Sequence, residues 1–235
     1  MARELLILGY HRIGPPGPDG WETWFFVPQE VFDHHLDLIR DSVWQPIDLD
    51  AFLRGLDDPA TLPEHPILLT FDDGYRCMRD VAAPVLHRHG MPAVLFVPTD
   101  HVGGPNAFDP WEPPGRICDW ADLRFLERRR IAVQSHAASH RTFGDLTLQE
   151  QTEELHRSKQ AIEKGLGRPV HLLAYPFGDR GREPERMAQA ARSIGYSAGC
   201  GYPGGVNDLP VPDAFALQRV AMGPDTDLAS WLARD

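Results

Sequence analysis

Short apolar runs recur along the whole chain, each four to eight residues long and mostly aliphatic or β-branched: Leu5 to Tyr10, Ile67 to Phe71, Ala93 to Val97, Ile131 to Gln134, Val170 to Tyr175, Ser197 to Cys200 and Phe215 to Met222. Runs of this length and composition predict strands. Helix signals lie between most of them. Thr147 with Glu150 forms a capping box, Leu148, Leu155 and Ile162 follow at seven-residue spacing, and Gly165 or Gly167 closes the helix. Arg76 to His89 reads as a helix stopping at Gly90-Met91-Pro92, and Glu185 to Ile194 as one stopping at Gly195. The recurring order of strand, loop and helix predicts a largely parallel sheet with helices outside it, and seven strands suit a closed or nearly closed α/β barrel.

The Pro/Gly-dense stretches Gly14 to Gly20, Gly103 to Gly115 and Tyr202 to Pro212 read as long loops that would gather at one barrel mouth. No repeat, low-complexity tract or linker divides the chain, so the expectation is a single domain over residues 1–235. A chain of 235 residues buries a large core without disulfides. The three cysteines, Cys77, Cys118 and Cys200, form no C-x-x-C pair and predict neither a disulfide framework nor a zinc ribbon. A net charge of -11 argues against nucleic acid and anionic membrane surfaces as partners. The apolar start Leu5-Leu6-Ile7-Leu8 is too short for a signal or membrane segment. The expectation is a cytoplasmic protein, with a mature chain trimmed of its signal as the open alternative. Nothing in the sequence sets the oligomeric state.

Three strand ends carry candidate chemistry. Thr70-Phe71-Asp72-Asp73-Gly74 follows an apolar run. Neighbouring strand residues face opposite ways, so Asp72 and Asp73 share a mouth only if the backbone turns, which Gly74 permits; the competing reading is a turn with one carboxylate capping the next helix. Ser135-His136-Ala137-Ala138-Ser139-His140 follows another run. Two imidazoles four residues apart can converge on one ion if the segment turns helically, and imidazole with carboxylate is a common catalytic zinc set; chance spacing among eleven histidines is the alternative. Ala174-Tyr175-Pro176-Phe177-Gly178 ends a third run with a turn that could aim N–H groups into the mouth.

In that order and spacing the three motifs resemble those of the polysaccharide deacetylases, carbohydrate esterase family 4 or NodB homology domain, over about residues 5 to 222. Leu8-Gly9-Tyr10-His11-Arg12 resembles the subgroup with an N-terminal Tyr-His motif and permuted motif order, which includes bacterial poly-N-acetylglucosamine deacetylases. The resemblance implies a distorted (β/α)7 barrel and metal-dependent removal of an N-acetyl group from an amino sugar, free or within a glycan. It implies Asp73, His136 and His140 as ligands of a divalent ion, zinc on ligand type with cobalt or nickel as alternatives. It further implies Asp72 as base, the Phe177 N–H in the oxyanion hole, and Tyr175 and Pro176 at the substrate. The usual family members take their acid from a histidine near the C-terminus, but none follows His171 here, and resemblance to the Tyr-His subgroup implies His11 in that role.

The motif departs from the family pattern at Ala174, which stands where an arginine usually orients the base, and at Phe177, which replaces tyrosine. Arg219, on a late strand, is the candidate replacement for that arginine, against the alternative of an ordinary surface residue. The remaining histidines have no convergent partner pattern, and Glu153, Glu154, Lys159 and Lys164 read as a solvated helix face. Trp44, Trp111 and Trp120 read as packing residues more readily than as sugar platforms. Two other functions stay open: an O-acetyl esterase or non-sugar amidase on this scaffold, and a non-catalytic glycan-binding protein.

Overall fold

Alternating side chains along seven short parallel strands sort the core into two clusters, one inside a curled sheet and one between the sheet and its helices. The computed structural model describes residues 3–15 and 23–233. The strands are β1 (Arg3–Tyr10), β2 (Pro66–Phe71), β3 (Ala93–Val97), β4 (Ile131–Ser135), β5 (Leu172–Ala174), β6 (Ala198–Cys200) and β7 (Val220–Ala221). Strands β1 to β6 pair in parallel, each with the next. The segment 217–221 touches both edges: Val220 pairs with Leu8 of β1, and Leu217 bridges Cys200 of β6. The sheet therefore curls round on itself, as the expected distorted (β/α)7 barrel requires. A short antiparallel strand, Asn207–Leu209, pairs with the start of β1.

Leu5 and Ile7 of β1, Leu68 of β2, Val94 and Phe96 of β3, Leu172 and Ala174 of β5, and Ala198 and Cys200 of β6 form the inner cluster. Their neighbours Leu6, Leu8, Leu69, Leu95, Val133 and Leu173 pack outward. The helices that receive them are α1 (Gln29–Arg40), α3 (Ala83–His89), α4 (Trp120–Glu127), α5 (Leu148–Leu166) and α6 (Pro184–Ile194). Helix α2 (Leu49–Asp57) instead adds Leu49 and Phe52 to the inner cluster.

Helix α5 starts at the Thr147 capping box and ends at Gly167, whose φ of 66° satisfies a left-handed cap. Gly165 lies inside this helix rather than at its end, and Trp120 packs where its Cβ would be. The expected helix Arg76 to His89 is broken into a π turn, Met78–Ala82, followed by α3, whose first turn contains Pro84. Within the expected strand Phe215 to Met222 only Val220–Ala221 is regular. Residues 16–20 of the first expected loop lie outside the described residues. Among the described residues no helix is long and apolar enough to cross a membrane.

Candidate active site

The inward rows of the strands continue past their carboxyl ends into a cluster of polar side chains. Leu5, Ile7 and Gly9 lead to His11; Leu68 and Thr70 to Asp72; Gln134 to His136; Ala198 and Cys200 to Tyr202; Leu217 to Arg219. The period of two thus brings five chemically active side chains to one mouth. Two more arrive by a change of backbone hand. Asp73, Ala137, His140 and Phe177 have φ of 70°, 59°, 62° and 57°, four of the five non-glycine residues with positive φ among those described. Each such residue costs about 1–3 kcal/mol, and the surrounding packing must hold it there. At Asp73, followed by Gly74 at φ 69°, the turn swings the second carboxylate to the same side as the first.

Asp73 Oδ1 lies 3.1 Å from His140 Nε2 and 3.4 Å from His136 Nε2. Donor atoms of these three buried residues all lie within 4.8 Å of one another. His136 Nδ1 is 2.8 Å from the Ala174 carbonyl oxygen. That nitrogen must carry the proton it donates, so the neutral ring presents the lone pair of Nε2 to Asp73. Asp73 Oδ1 itself is buried and makes no hydrogen bond. Lone pairs converging from two imidazoles and a carboxylate fit a divalent cation, since tetrahedral ligands at about 2.1 Å from one ion stand about 3.4 Å apart. Burial alone raises the pKa of Asp73, and the rings of His136 and His140, when they are charged and no cation lies between, pull it well below the ordinary carboxylate value.

Beside this triad, Asp72 is held by Arg219: Nη1 donates to Oδ1 at 2.7 Å and Nη2 to Oδ2 at 2.8 Å. Both side chains are fully buried. Tyr202 donates its hydroxyl to Asp72 Oδ2 at 2.9 Å, and its ring covers the guanidinium at 4.0 Å. Burial pushes the Asp72 carboxyl up, Arg219 and then His136 pull it down further, and the net value is below the ordinary one. His11 Nε2 stands 4.0 Å from Asp72 Oδ2, with its ring between Phe25 and Tyr202. Burial lowers the pKa of His11, with Asp73 and Asp72 opposing.

His11, Asp72, Asp73, His136, His140, Phe177 and Tyr202 line one cavity of about 310 Å3, together with Arg12, Phe25, Tyr75, Asp109, Glu112 and Ala221. Phe177 is 60% exposed at its rim. Tyr175 and Pro176 are not in its lining. Tyr175 falls in the outward row, its ring fully buried and its hydroxyl bonded to the Phe215 carbonyl. Trp44 is a core residue, and Trp111 is exposed and not part of the cavity lining.

Sequence reasoning missed three contributors. Tyr202 was hidden in a Pro/Gly-rich stretch, although its parity with Ala198 and Cys200 was available. Arg12 was quoted only as the flank of the Tyr-His motif, and Glu112 falls in no motif. Glu154 also departs from the expected solvated face: it is buried, and its Oε2 accepts the N–H groups of Ala138 at 3.0 Å and Ser139 at 2.7 Å. It thereby fixes the loop joining His136 to His140, a contact between distant segments that no local pattern announces.

Residues 60–199 match the sequence profile of the polysaccharide deacetylase family, more than half of the chain. The chain belongs to this family, whose reaction is the deacetylation of a polysaccharide. Among its relatives, YxkH of Bacillus subtilis (strain 168), whose name assigns it to the polysaccharide deacetylases, is 26% identical over 221 residues, 94% of this chain and 72% of its own. Streptococcus pyogenes deacetylase PplD, solved in complex with acetate, superposes with a TM-score of 0.85 at 20% identity over 100% of both chains. IcaB from Ammonifex degensii gives 0.84 at 22% identity, covering 99% of this chain and 98% of its own. These structures share the curled parallel-sheet fold. His11, Tyr202 and Arg219 lie outside the family-matched span.

Proposed function

We propose that this protein is a metal-dependent deacetylase that removes the N-acetyl group of an amino sugar, free or within a glycan. The observation that carries the reading is the convergence of Asp73, His136 and His140 on one point, with Asp73 Oδ1 unpartnered, directly beside an Asp72 locked by Arg219. A divalent ion held by these three residues, zinc on ligand type with cobalt and nickel as alternatives, would lower the pKa of water and polarise the amide carbonyl.

Asp72 takes the proton from the attacking water, a general-base role typically worth about 10²- to 10⁴-fold. Its pKa, depressed by Arg219, keeps it ionised for that task, and Arg219 supplies the orientation that Ala174 cannot. The Phe177 N–H, presented by the left-handed turn after Pro176, meets the charge that develops on the carbonyl oxygen. His11, the histidine of the Tyr-His motif, delivers a proton to the leaving amine from within reach of Asp72.

The test is acetate release from N-acetylated amino sugars, nucleotide sugars and oligomers by the wild type and two variants. Asp72→Asn should keep its metal and lose turnover, and a fully active Asp72→Asn protein would refute the assigned base. His11→Ala should fold, bind metal and cleave amides poorly while cleaving acetate esters comparatively better, because an alkoxide leaves with less protonation than an amine. An unchanged amide-to-ester ratio removes His11 from the mechanism.

A further inference from the structure

The cavity contains a second pair of unpartnered polar atoms, outside the metal triad and its base. Arg12 is only 4% exposed. Its Nη2 donates to the Pro113 carbonyl at 2.9 Å, and its guanidinium carbon lies 4.0 Å from the Tyr75 ring centre and 5.0 Å from that of Phe26. Its Nη1 is buried without a hydrogen bond. Opposite it stands Glu112, 13% exposed, whose Oε2 is likewise buried and without a hydrogen bond. The two atoms are 3.9 Å apart, beyond hydrogen-bond range.

The surroundings fix the guanidinium and the loop beside it. Asn106 Nδ2 donates to the Tyr75 hydroxyl and to the Pro113 carbonyl, each at 3.2 Å, and Asn106 Oδ1 accepts from the Gly115 N–H at 2.8 Å. A Cβ at position 115 would sit 2.0 Å from Arg12 Nη2, so Gly115 is what admits the guanidinium. The strand end that carries His11 thus carries Arg12 as well, tied to the loop that bears Glu112.

We propose that Arg12 Nη1 and Glu112 Oε2 form a subsite for an uncharged hydroxyl of the substrate, a reading that rests on the proposed deacetylase activity. One hydroxyl oxygen placed between the two atoms accepts from Arg12 and donates to Glu112, so a single group satisfies both. At the point between the two atoms a substrate carboxylate or phosphate meets repulsion from Glu112, and an ammonium meets it from Arg12. The pair therefore selects a neutral, hydroxylated acyl donor, as a sugar ring is, over charged acetamides of the same size.

The test compares an N-acetylglucosamine oligomer with analogues lacking one ring hydroxyl at a time, using wild type, Glu112→Gln and Glu112→Ala loaded with zinc to equal stoichiometry. Wild type should lose about 10- to 100-fold in kcat/KM on one of the deoxy analogues, the range for a lost bond to a charged group. Glu112→Ala should lose part of that factor on the parent and narrow the gap between parent and analogue, while Glu112→Gln, which keeps an acceptor oxygen, should fall between it and the wild type. Undiminished discrimination in Glu112→Ala, or a wild type indifferent to every deoxygenation, overturns the subsite and leaves the deacetylase reading standing. No acetate from the parent with wild type overturns that reading and the subsite with it.

Discussion

Arg219 and Asp72 meet through two parallel hydrogen bonds of 2.7 and 2.8 Å in a place closed to solvent. A planar guanidinium facing a carboxylate in this way fixes both the position of the acid and its charge. Arg219→Met strands the carboxylate without its partner, and urea unfolding should show a loss of about 3–5 kcal/mol.

The same variant should shift the pH profile. In the native protein Asp72 titrates below its ordinary value, so its pairing stabilises the fold above about pH 3.9 and is lost as pH falls through the lower, folded value. Without Arg219 the burial that raises Asp72 is opposed only by His136 and His11, and the acid limb of kcat/KM should move to higher pH. An acid limb at the wild-type position would show that Arg219 does not set the charge of Asp72.

Tyr202 spans the cavity floor from Gly9 to Asp72. Tyr202→Phe deletes one hydrogen bond and should cost about 1 kcal/mol of stability, with a fall in kcat/KM of about tenfold. Gly9→Ala should do more harm, because its Cβ would lie 2.4 Å from the Tyr202 hydroxyl oxygen; overpacking of this kind typically costs about 1–3 kcal/mol. Thermal melts and steady-state kinetics on the two variants check both statements, and a Gly9→Ala protein as active as wild type would contradict the assigned place of Tyr202.

Glu154 acts on the histidines from outside the cavity. Glu154→Ala releases the Ala138 and Ser139 N–H groups, and the loop that places His140 loses its anchor. Metal affinity, measured by competition with a chromogenic chelator, should drop by about 10- to 100-fold, as is common when groups supporting ligands are removed. Glu154→Gln keeps an acceptor and should recover most of it; equal losses in the two variants would count against this positioning role.

The cysteines should be inert. Burial pushes the Cys200 thiol up to about 12 and raises Cys118 and Cys77 as well. Near neutral pH iodoacetamide should label none of them in the native protein and all three in urea, as read by intact mass.

Much of the architecture was legible because it rests on periodicity. The run Ala93 to Val97 is a strand over those residues, and the strand ends bearing Asp72, His136 and Ala174 fall where the motifs place them. Contacts between distant segments were less accessible. Arg219 was nameable as a candidate from its late strand, but only the curl of the sheet shows it bonded to Asp72, 147 residues away. Tyr175 sits one residue out of phase with the inner row, so a motif position that reads as substrate-facing packs into the core instead. Glu154 faces the His136–His140 loop because α5 lies across it, and helical spacing alone does not reveal which side is covered.

The most direct measurement is acetate release from an N-acetylglucosamine oligomer by protein stripped with chelator, verified free of metal, and then titrated with zinc. The account predicts no release from the stripped protein and recovery complete at one ion per chain, with no recovery in Asp73→Asn. Undiminished release by the verified metal-free protein would contradict it.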